Sequence, residues 1–104
     1  MNDMMIDKPY AIGDIISFKL PAGEEMIARF VSETPTHFKI TKPVSLVPTP
    51  SGSYGMVPAI VTAELNTVNI AKASVIIHTP TKKDVAEQYR NSTSSIVQAS
   101  MVTG

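Results

Sequence analysis

Cysteine is absent from the sequence, which excludes disulfide bonds and thiolate zinc sites and leaves the redox compartment open. Histidine is nearly absent: His37 and His78 are the only two, and their wide separation is not typical of metal ligands. The glycines stand singly, so no phosphate-binding loop is present, and no serine lies in a G-x-S-x-G motif. The adjacent Glu24 and Glu25 fall in a turn, where solvated side chains are expected. We therefore expect a protein that is not an enzyme and that needs no metal and no cofactor.

Charged residues and long apolar runs are also scarce. No apolar run approaches the ~20 residues that a membrane-spanning helix needs, so no membrane partner is expected. The N-terminal "MNDMMIDKPY" is acidic and lacks the basic and apolar regions of a signal peptide, so a cytoplasmic location is expected. Charged residues make up only 17% of the chain, against about 25% in an average domain. A low content of charged residues indicates either a surface that is partly covered by a partner or an ordinary surface rich in serine and threonine.

The net charge of zero hides an uneven distribution along the chain. Residues 1–33 carry a balance of −3, residues 34–83 carry +4, and the remainder carries −1. The charged residues of the basic stretch are Lys39, Lys42, Lys72, Lys82, Lys83 and Glu64. This asymmetry favours either a basic face for a polyanion or contact between an acidic edge of one subunit and a basic edge of the next.

Alternating apolar residues predict five strands between residues 14 and 79. The first three strands are separated by turn sequences at 21–24 and 32–37, and the loop "VPTPSGSYG" precedes the fourth. "YGMVPAIVTAEL" and "TVNIAKASVIIH" predict the last two strands, which separate near Leu65 and Asn66. The apolar residues that share one parity in the first three strands are Ile16, Phe18, Leu20, Met26, Ala28, Phe30, Phe38, Ile40, Val44 and Leu46. Five short strands without an intervening helix imply an all-β fold, a strongly bent antiparallel small barrel, since an open sheet would leave long unpaired edges.

At 104 residues the chain is expected to form a single domain. Its predicted parts are an N-terminal arm (1–13), the barrel (14–79), a short C-terminal helix (80–91) and a tail (92–104). Thr81 and Asp84 form a variant of the capping box, and Val85 and Tyr89 lie on one stripe of the helix. The Ser/Thr-rich tail is interpreted as mobile, with a strand that docks on a neighbour as the alternative.

The candidate binding residues are basic and lie on or beside the strands. "THFKITK" places His37, Lys39 and Thr41 on the outward parity of the third strand. An imidazole near lysines can stack on a base and neutralise a phosphate, although a polar turn and solvated strand positions explain the same residues. Lys72 in "NIAKAS" is either a charge that protects a strand edge or a second binding residue, if an oligomer brings copies together.

The layout of these strands and turns resembles the Sm/LSm fold, particularly the phage-type (cyanophage and marine) Sm-like proteins, over roughly residues 13–78. "ISFKLPAGEEMIARFVSETPTHFKI" has the layout of the first Sm motif, a hairpin followed by Asp-x-hydrophobic-Met-Asn and an alternating strand. Glu33 stands at the Asp, Thr36 at the Met and His37 at the Asn. "VNIAKASVII" matches the second motif at Ile70, with Ala71-Lys72 in place of Arg-Gly.

Three features depart from the family pattern. The glycine that lets the second strand bend is replaced by Ile27 and Ala28, and the Met-Asn and Arg-Gly pairs are missing. The helix follows the barrel, whereas most of the family carries it before the first strand. The residues at or beside the family's RNA site are Thr36, His37, Lys39 and Lys72.

The resemblance implies an SH3-like small barrel that assembles into a cyclic homo-oligomer through its fourth and fifth strands. It implies binding of short single-stranded RNA, or of DNA, without catalysis, and for a phage-encoded chain the cytoplasm of the host cell. Two hypotheses follow. The first is a ring that binds single-stranded nucleic acid, with a role in RNA or DNA processing. The second is a structural or adaptor ring of a phage particle or complex, with no nucleic-acid binding.

Overall fold

The computed structural model describes residues 9–63 and 67–103, and it describes side chains as far as residue 94. It contains six strands, one more than predicted, and a C-terminal helix. The bounds are β1 Ile15–Lys19, β2 Glu25–Glu33, β3 His37–Pro48, β4 Tyr54–Pro58, β5 Val68–Ala71, β6 Ile77–Pro80 and α1 Lys83–Thr103. Residues 1–8 of the predicted arm and the predicted strand break at 65–66 lie outside the described residues.

The pairs formed by the described strands are antiparallel, as predicted. The hydrogen-bonded order is β4-β3-β2-β1-β6, and β5 pairs with the first part of β3, so the described strands form an open sheet. The expected fifth strand is divided because a 3₁₀ turn at Lys72–Ser74 separates β5, which pairs with β3, from β6, which pairs with β1. The prediction of five strands was therefore wrong, and closure into a barrel stays a prediction.

Both faces of the sheet are buried by apolar residues. One face carries the larger cluster, which consists of Ile16, Phe18, Met26, Ala28, Phe30, Phe38 and Ile40. The opposite face is covered by α1, and its cluster consists of Ile15, Ile27, Val44, Ala86 and Tyr89. The second cluster explains why neighbouring residues such as Ile15 and Ile16 are both apolar, where strict alternation predicts one buried face.

A bulge in β3 moves Val44 to the helix-covered face. Ile27 pairs with Val44 and Arg29 pairs with Thr41, so β3 has one residue more than β2 over this interval. Lys42 lies within it with φ of 49°, a left-handed conformation that is uncommon for a residue other than glycine. The prediction that Val44 shares a face with Phe38 and Ile40 was wrong, because the extra residue reverses the alternation.

The second irregularity bends β2 without a glycine. Phe30 pairs with Ile40 but Ser32 pairs with Lys39, which leaves Val31 as an extra residue in β2. An extra residue bends its strand and increases the local twist. The bend of β2 therefore comes from a bulge near its end and needs no glycine.

The helix α1 is longer than the predicted 80–91, and the backbone is helical through most of the predicted tail. Thr93 is buried, and its Oγ1 donates to the carbonyl oxygens of Tyr89 and Arg90 at 3.0 and 3.1 Å. Because this hydroxyl is satisfied by its own helix, a Ser/Thr-rich sequence does not end the helix at this point.

Candidate nucleic-acid interface

The turn between β2 and β3 is organised by Thr34. Its Oγ1 accepts hydrogen bonds from the backbone N–H groups of Thr36 and His37, at 3.3 and 3.0 Å. The Thr34 N–H donates to the His37 carbonyl at 2.9 Å, which closes the turn. Threonine side chains commonly stabilise turns in this way. The turn therefore presents Thr36 and His37 to solvent at the start of β3.

The pairing of β5 with β3 brings Lys72 to this turn. His37 pairs with Ala71, and the Lys72 N–H donates to the Thr36 carbonyl at 2.9 Å. Thr36 Oγ1 and His37 Nδ1 lie 2.9 Å apart, within hydrogen-bonding distance. Lys39 lies two residues along β3 from His37 and is also exposed. We call Thr36, His37, Lys39 and Lys72 the turn cluster; the fold brings Thr36, His37 and Lys72 together, and Lys39 follows further along β3.

The charge of Lys72 is already engaged. Its Nζ lies 2.6 Å from Glu33 Oε1 and 4.9 Å from the centre of the Phe38 ring. The side chains of Lys72 and Glu33 are 30% and 36% exposed, so this ion pair is worth only about 0–1 kcal/mol. An incoming phosphate would therefore compete with the Glu33 carboxylate for the same ammonium group.

A second group of aromatic residues, which the sequence did not indicate, adjoins the turn cluster. Tyr10 Oη and His78 Nδ1 lie 2.7 Å apart. The ring centres of His78 and Phe38 lie 4.9 Å apart, and the ring centres of Tyr10 and Phe30 lie 5.5 Å apart. His78 pairs with Phe18 across β1 and β6, and no sequence pattern reveals this before the strand pairing is known.

Next to these residues is an open groove of about 560 Å³. Its lining residues are Pro9, Tyr10, Asp14, Glu33, His78, Thr79 and Pro80, and we call it the Tyr10–His78 groove. A larger groove of about 670 Å³ lies elsewhere, between the β1–β2 turn, the β3–β4 hairpin and the start of α1. Glu24 and Glu25 lie on this larger groove, and both are exposed as predicted, although Glu25 is the first residue of β2 rather than part of the turn.

Tyr89, a side chain of the core, has a shifted pKa. Burial raises the pKa of Tyr89 to about 12, although the nearby Arg29 charge acts in the opposite direction. Tyr89 lies on α1 against the bulge of β3. Among the described residues, no group of three His, Asp or Glu side chains is arranged to hold a metal ion.

Comparison with protein-family models and with curated proteins gives no match to this chain. Within the part of the chain that the structure describes, no helix is long and apolar enough to cross a membrane.

Proposed function

We propose that this chain is a non-catalytic Sm-like module that assembles into a homo-oligomeric ring and binds single-stranded RNA or DNA at the turn cluster. The observation that carries the proposal is the hydrogen bond from the Lys72 N–H to the Thr36 carbonyl. This bond brings together two segments that are distant in the sequence and that correspond to the two motifs of the resemblance.

The strand pairings support a small barrel. The long β3 pairs with β2 on one side, and on the other side with β5 through its first part and with β4 through its second. The 3₁₀ turn and the two residues after it connect β5 to β6, which pairs with β1. The chain therefore passes in five residues from a strand beside β3 to the other end of the sheet, and this favours a sheet curled upon itself. The bulges in β2 and β3 supply the bends that such a barrel needs.

The ring proposal rests on the two end strands of the sheet. Among the described strands, β4 pairs only with β3, and β6 pairs only with β1. Each therefore has one edge to which a strand of another copy can add. Both ends also expose large apolar side chains, which are Tyr54, Val57, Ile60, Val61, Ile76 and Ile77.

The positions of these apolar residues favour antiparallel pairing between copies. Val57, Ile60 and Val61 lie at or after the end of β4, whereas Ile76 and Ile77 lie at the start of β6. Antiparallel pairing of β4 with β6 of the next copy places these two apolar groups side by side. Parallel pairing would separate them by the length of the strands. A heterologous contact of this kind has to close into a ring to avoid fibres.

Light scattering coupled to size-exclusion chromatography tests the assembly. We expect a defined oligomer for the unmodified protein and a lower mass for Ile77→Glu, because the charge would be buried at the proposed contact. Ile12→Glu is the matched control, since Ile12 is 81% exposed and lies on neither end strand. A monomeric unmodified protein would contradict the ring.

Nucleic-acid binding is tested with fluorescent oligo-U, oligo-A and single-stranded DNA at low salt. Lys72→Ala and His37→Ala should each weaken binding without changing the mass of the oligomer. Lys83→Ala is the matched control, because Lys83 is an exposed lysine at the start of α1. If four phosphates are neutralised, raising the salt from 50 to 200 mM should weaken binding about fiftyfold. An oligomer that binds none of the three would refute the proposed binding.

The Glu33–Lys72 ion pair favours the second candidate function, a structural or adaptor ring without nucleic acid. If the only role of Lys72 is to join the β2–β3 turn to the 3₁₀ turn, Glu33→Gln should leave the oligomer without affinity for any oligonucleotide. If Lys72 binds phosphate, the same substitution should strengthen binding, because it removes the competing carboxylate.

A further inference from the structure

The Tyr10–His78 groove differs in chemistry from the turn cluster beside it. The two share a boundary at Glu33, which lines the groove and pairs with Lys72. The described residues that line the groove include two carboxylates, Asp14 and Glu33, and no lysine or arginine. Its volume of about 560 Å³ lies within the ~300–1,000 Å³ that small-molecule sites usually have.

The groove has flat, ordered walls. The rings of Tyr10 and His78 lie 5.7 Å apart with an interplanar angle of 71°, and the 2.7 Å contact between Tyr10 Oη and His78 Nδ1 restrains both. His78 also packs edge-on against Phe38, with ring centres 4.9 Å apart. Phenol and imidazole rings are surfaces on which an unpaired nucleobase stacks.

Hydrogen-bond acceptors dominate the polar part of the groove. Asp14 Oδ2 accepts the Ala11 N–H at 2.9 Å, and Glu33 Oε1 contacts Lys72 Nζ at 2.6 Å. An ionised carboxylate has about four acceptor positions and no donor, so each group has capacity for a further donor. A phosphate finds no lysine or arginine among the described lining residues, whereas a base with N–H groups on its edge finds acceptors.

We propose that the Tyr10–His78 groove binds one nucleobase through the N–H donors of its Watson–Crick edge, with guanine preferred. This inference rests on the proposed binding of single strands at the turn cluster, where Lys39 and Lys72 take the phosphates. Guanine presents two donors on that edge, and adenine and cytosine present one amino group each. Uracil presents one N–H between two carbonyl oxygens, which the carboxylates repel. The expected order is guanine, then adenine and cytosine, then uracil.

The first test compares hexauridine with the same hexamer carrying one central guanosine, bound to the full chain. The guanosine should tighten binding about tenfold, the discrimination expected of a good pair of hydrogen bonds to a base edge. Asp14→Asn and Glu33→Gln should each reduce this preference, and Glu33→Gln should also tighten hexauridine binding by releasing Lys72. Glu24→Gln is the matched control, an exposed carboxylate on the other groove, and should retain the preference.

The second test separates this inference from the proposed function. The ¹H–¹³C resonances of the Tyr10 and His78 rings are followed while GMP or UMP is added to the full chain. GMP should shift both rings at lower concentration than UMP does. If hexauridine binds but the guanosine gives no advantage and neither ring responds to GMP, the base groove is refuted while the proposed function stands. If no oligonucleotide binds and GMP still shifts the rings, the proposed function fails and the groove is a mononucleotide site.

Discussion

Tyr89 joins the helix to the bulge of β3, and replacing it with phenylalanine tests the importance of that junction. Its side chain is fully buried, and its hydroxyl donates to the Lys42 carbonyl at 2.6 Å and approaches the Thr41 carbonyl at 3.4 Å. These carbonyls lie in the irregular part of β3, where the ladder with β2 is interrupted. Phenylalanine keeps the packing of the ring and removes only the donor.

The expected loss can be estimated from this geometry. An intramolecular hydrogen bond contributes about 0.5–1.5 kcal/mol, and a partly buried carbonyl left without its donor adds to the cost. We therefore expect Tyr89→Phe to lower the free energy of unfolding by about 1–2 kcal/mol. Urea unfolding followed by far-ultraviolet circular dichroism measures this, at one protein concentration because assembly would make stability concentration-dependent.

Tyr54→Phe is the matched control, since Tyr54 is 44% exposed on β4, and its substitution should change stability by less than about 0.5 kcal/mol. The dependence of the unfolding free energy on urea should be the same in all three proteins, because the buried surface is unchanged. If Tyr89→Phe is as stable as the unmodified protein, the hydroxyl does not fasten α1 to the bulge and the reasoning is refuted.

Three further predictions concern the same framework. Burial raises the pKa of Tyr89 to about 12, so the stability that the neutral phenol contributes is fully present below the unfolded-state pKa of 10.0 and is lost as the pH rises towards 12. Between pH 9 and 11 the urea midpoint of the unmodified protein should therefore fall more than that of Tyr89→Phe. An equal fall in the two proteins would contradict the raised pKa of Tyr89. Gly23 has φ of +98°, so Gly23→Ala should lower the free energy of unfolding by more than about 1 kcal/mol. Gly55→Ala is the control and should lower it less, because the added Cβ meets only an ordinary contact at 3.7 Å. Equal losses of stability in urea unfolding would be inconsistent with strain at the turn. Lys42→Gly should be stabilising by about 0.5 kcal/mol because it relieves the left-handed backbone. Lys39→Gly should be destabilising, because Lys39 does not have a positive φ and glycine loses more conformational freedom on folding. Thermal unfolding that ranks the two variants the other way would argue against strain at Lys42.

The strands and turns that depend on local pattern could be predicted from the sequence. The alternation in "ISFKL" and "EMIARF" and the Pro-Ala-Gly-Glu turn between them correspond to β1, β2 and their hairpin. In that turn the Gly23 N–H donates to the Leu20 carbonyl at 2.9 Å, with the positive φ that glycine permits. Local sequence preference and tertiary structure agree in this hairpin, so the periodicity of apolar residues was sufficient to predict its strands and turn.

The features that depend on tertiary pairing could not be predicted. The division of "TVNIAKASVIIH" into β5 and β6 arises because its two halves pair with different strands, which its apolar residues do not reveal. The bulge at Lys42 moves Val44 to the opposite face of the sheet, although the sequence of β3 is equally compatible with an uninterrupted alternation. Both errors come from reading strands as straight, and bulges and bends are the means by which a small sheet departs from straightness.

The residues of the candidate site were identified only in part from the sequence, because strand pairing decides which of them lie close together. His37 and Lys72 were identified by residue type and by resemblance, and the pairing of β3 with β5 brings them together. The partners Tyr10 and His78 became visible only in three dimensions, because each reaches the site from a different segment. The resemblance had placed Glu33 at the Asp of the first motif, but its ion pair with Lys72 depends on tertiary structure.

If the turn cluster binds nucleic acid as proposed, the Glu33–Lys72 pair limits how much phosphate binding one copy can supply. The Glu33 carboxylate offsets the charge of Lys72, which leaves Lys39 as the other lysine of the turn cluster in each copy. One neutralised phosphate on a single strand gives a slope of about −0.7 in log affinity against log salt, and such binding is weak at physiological ionic strength. Useful affinity from this surface therefore requires several copies on one strand, each adding a similar increment to the slope. A measured slope several times −0.7 would mean that the strand contacts several subunits, whereas a slope near −0.7 from a confirmed oligomer would mean that the copies do not bind the strand together.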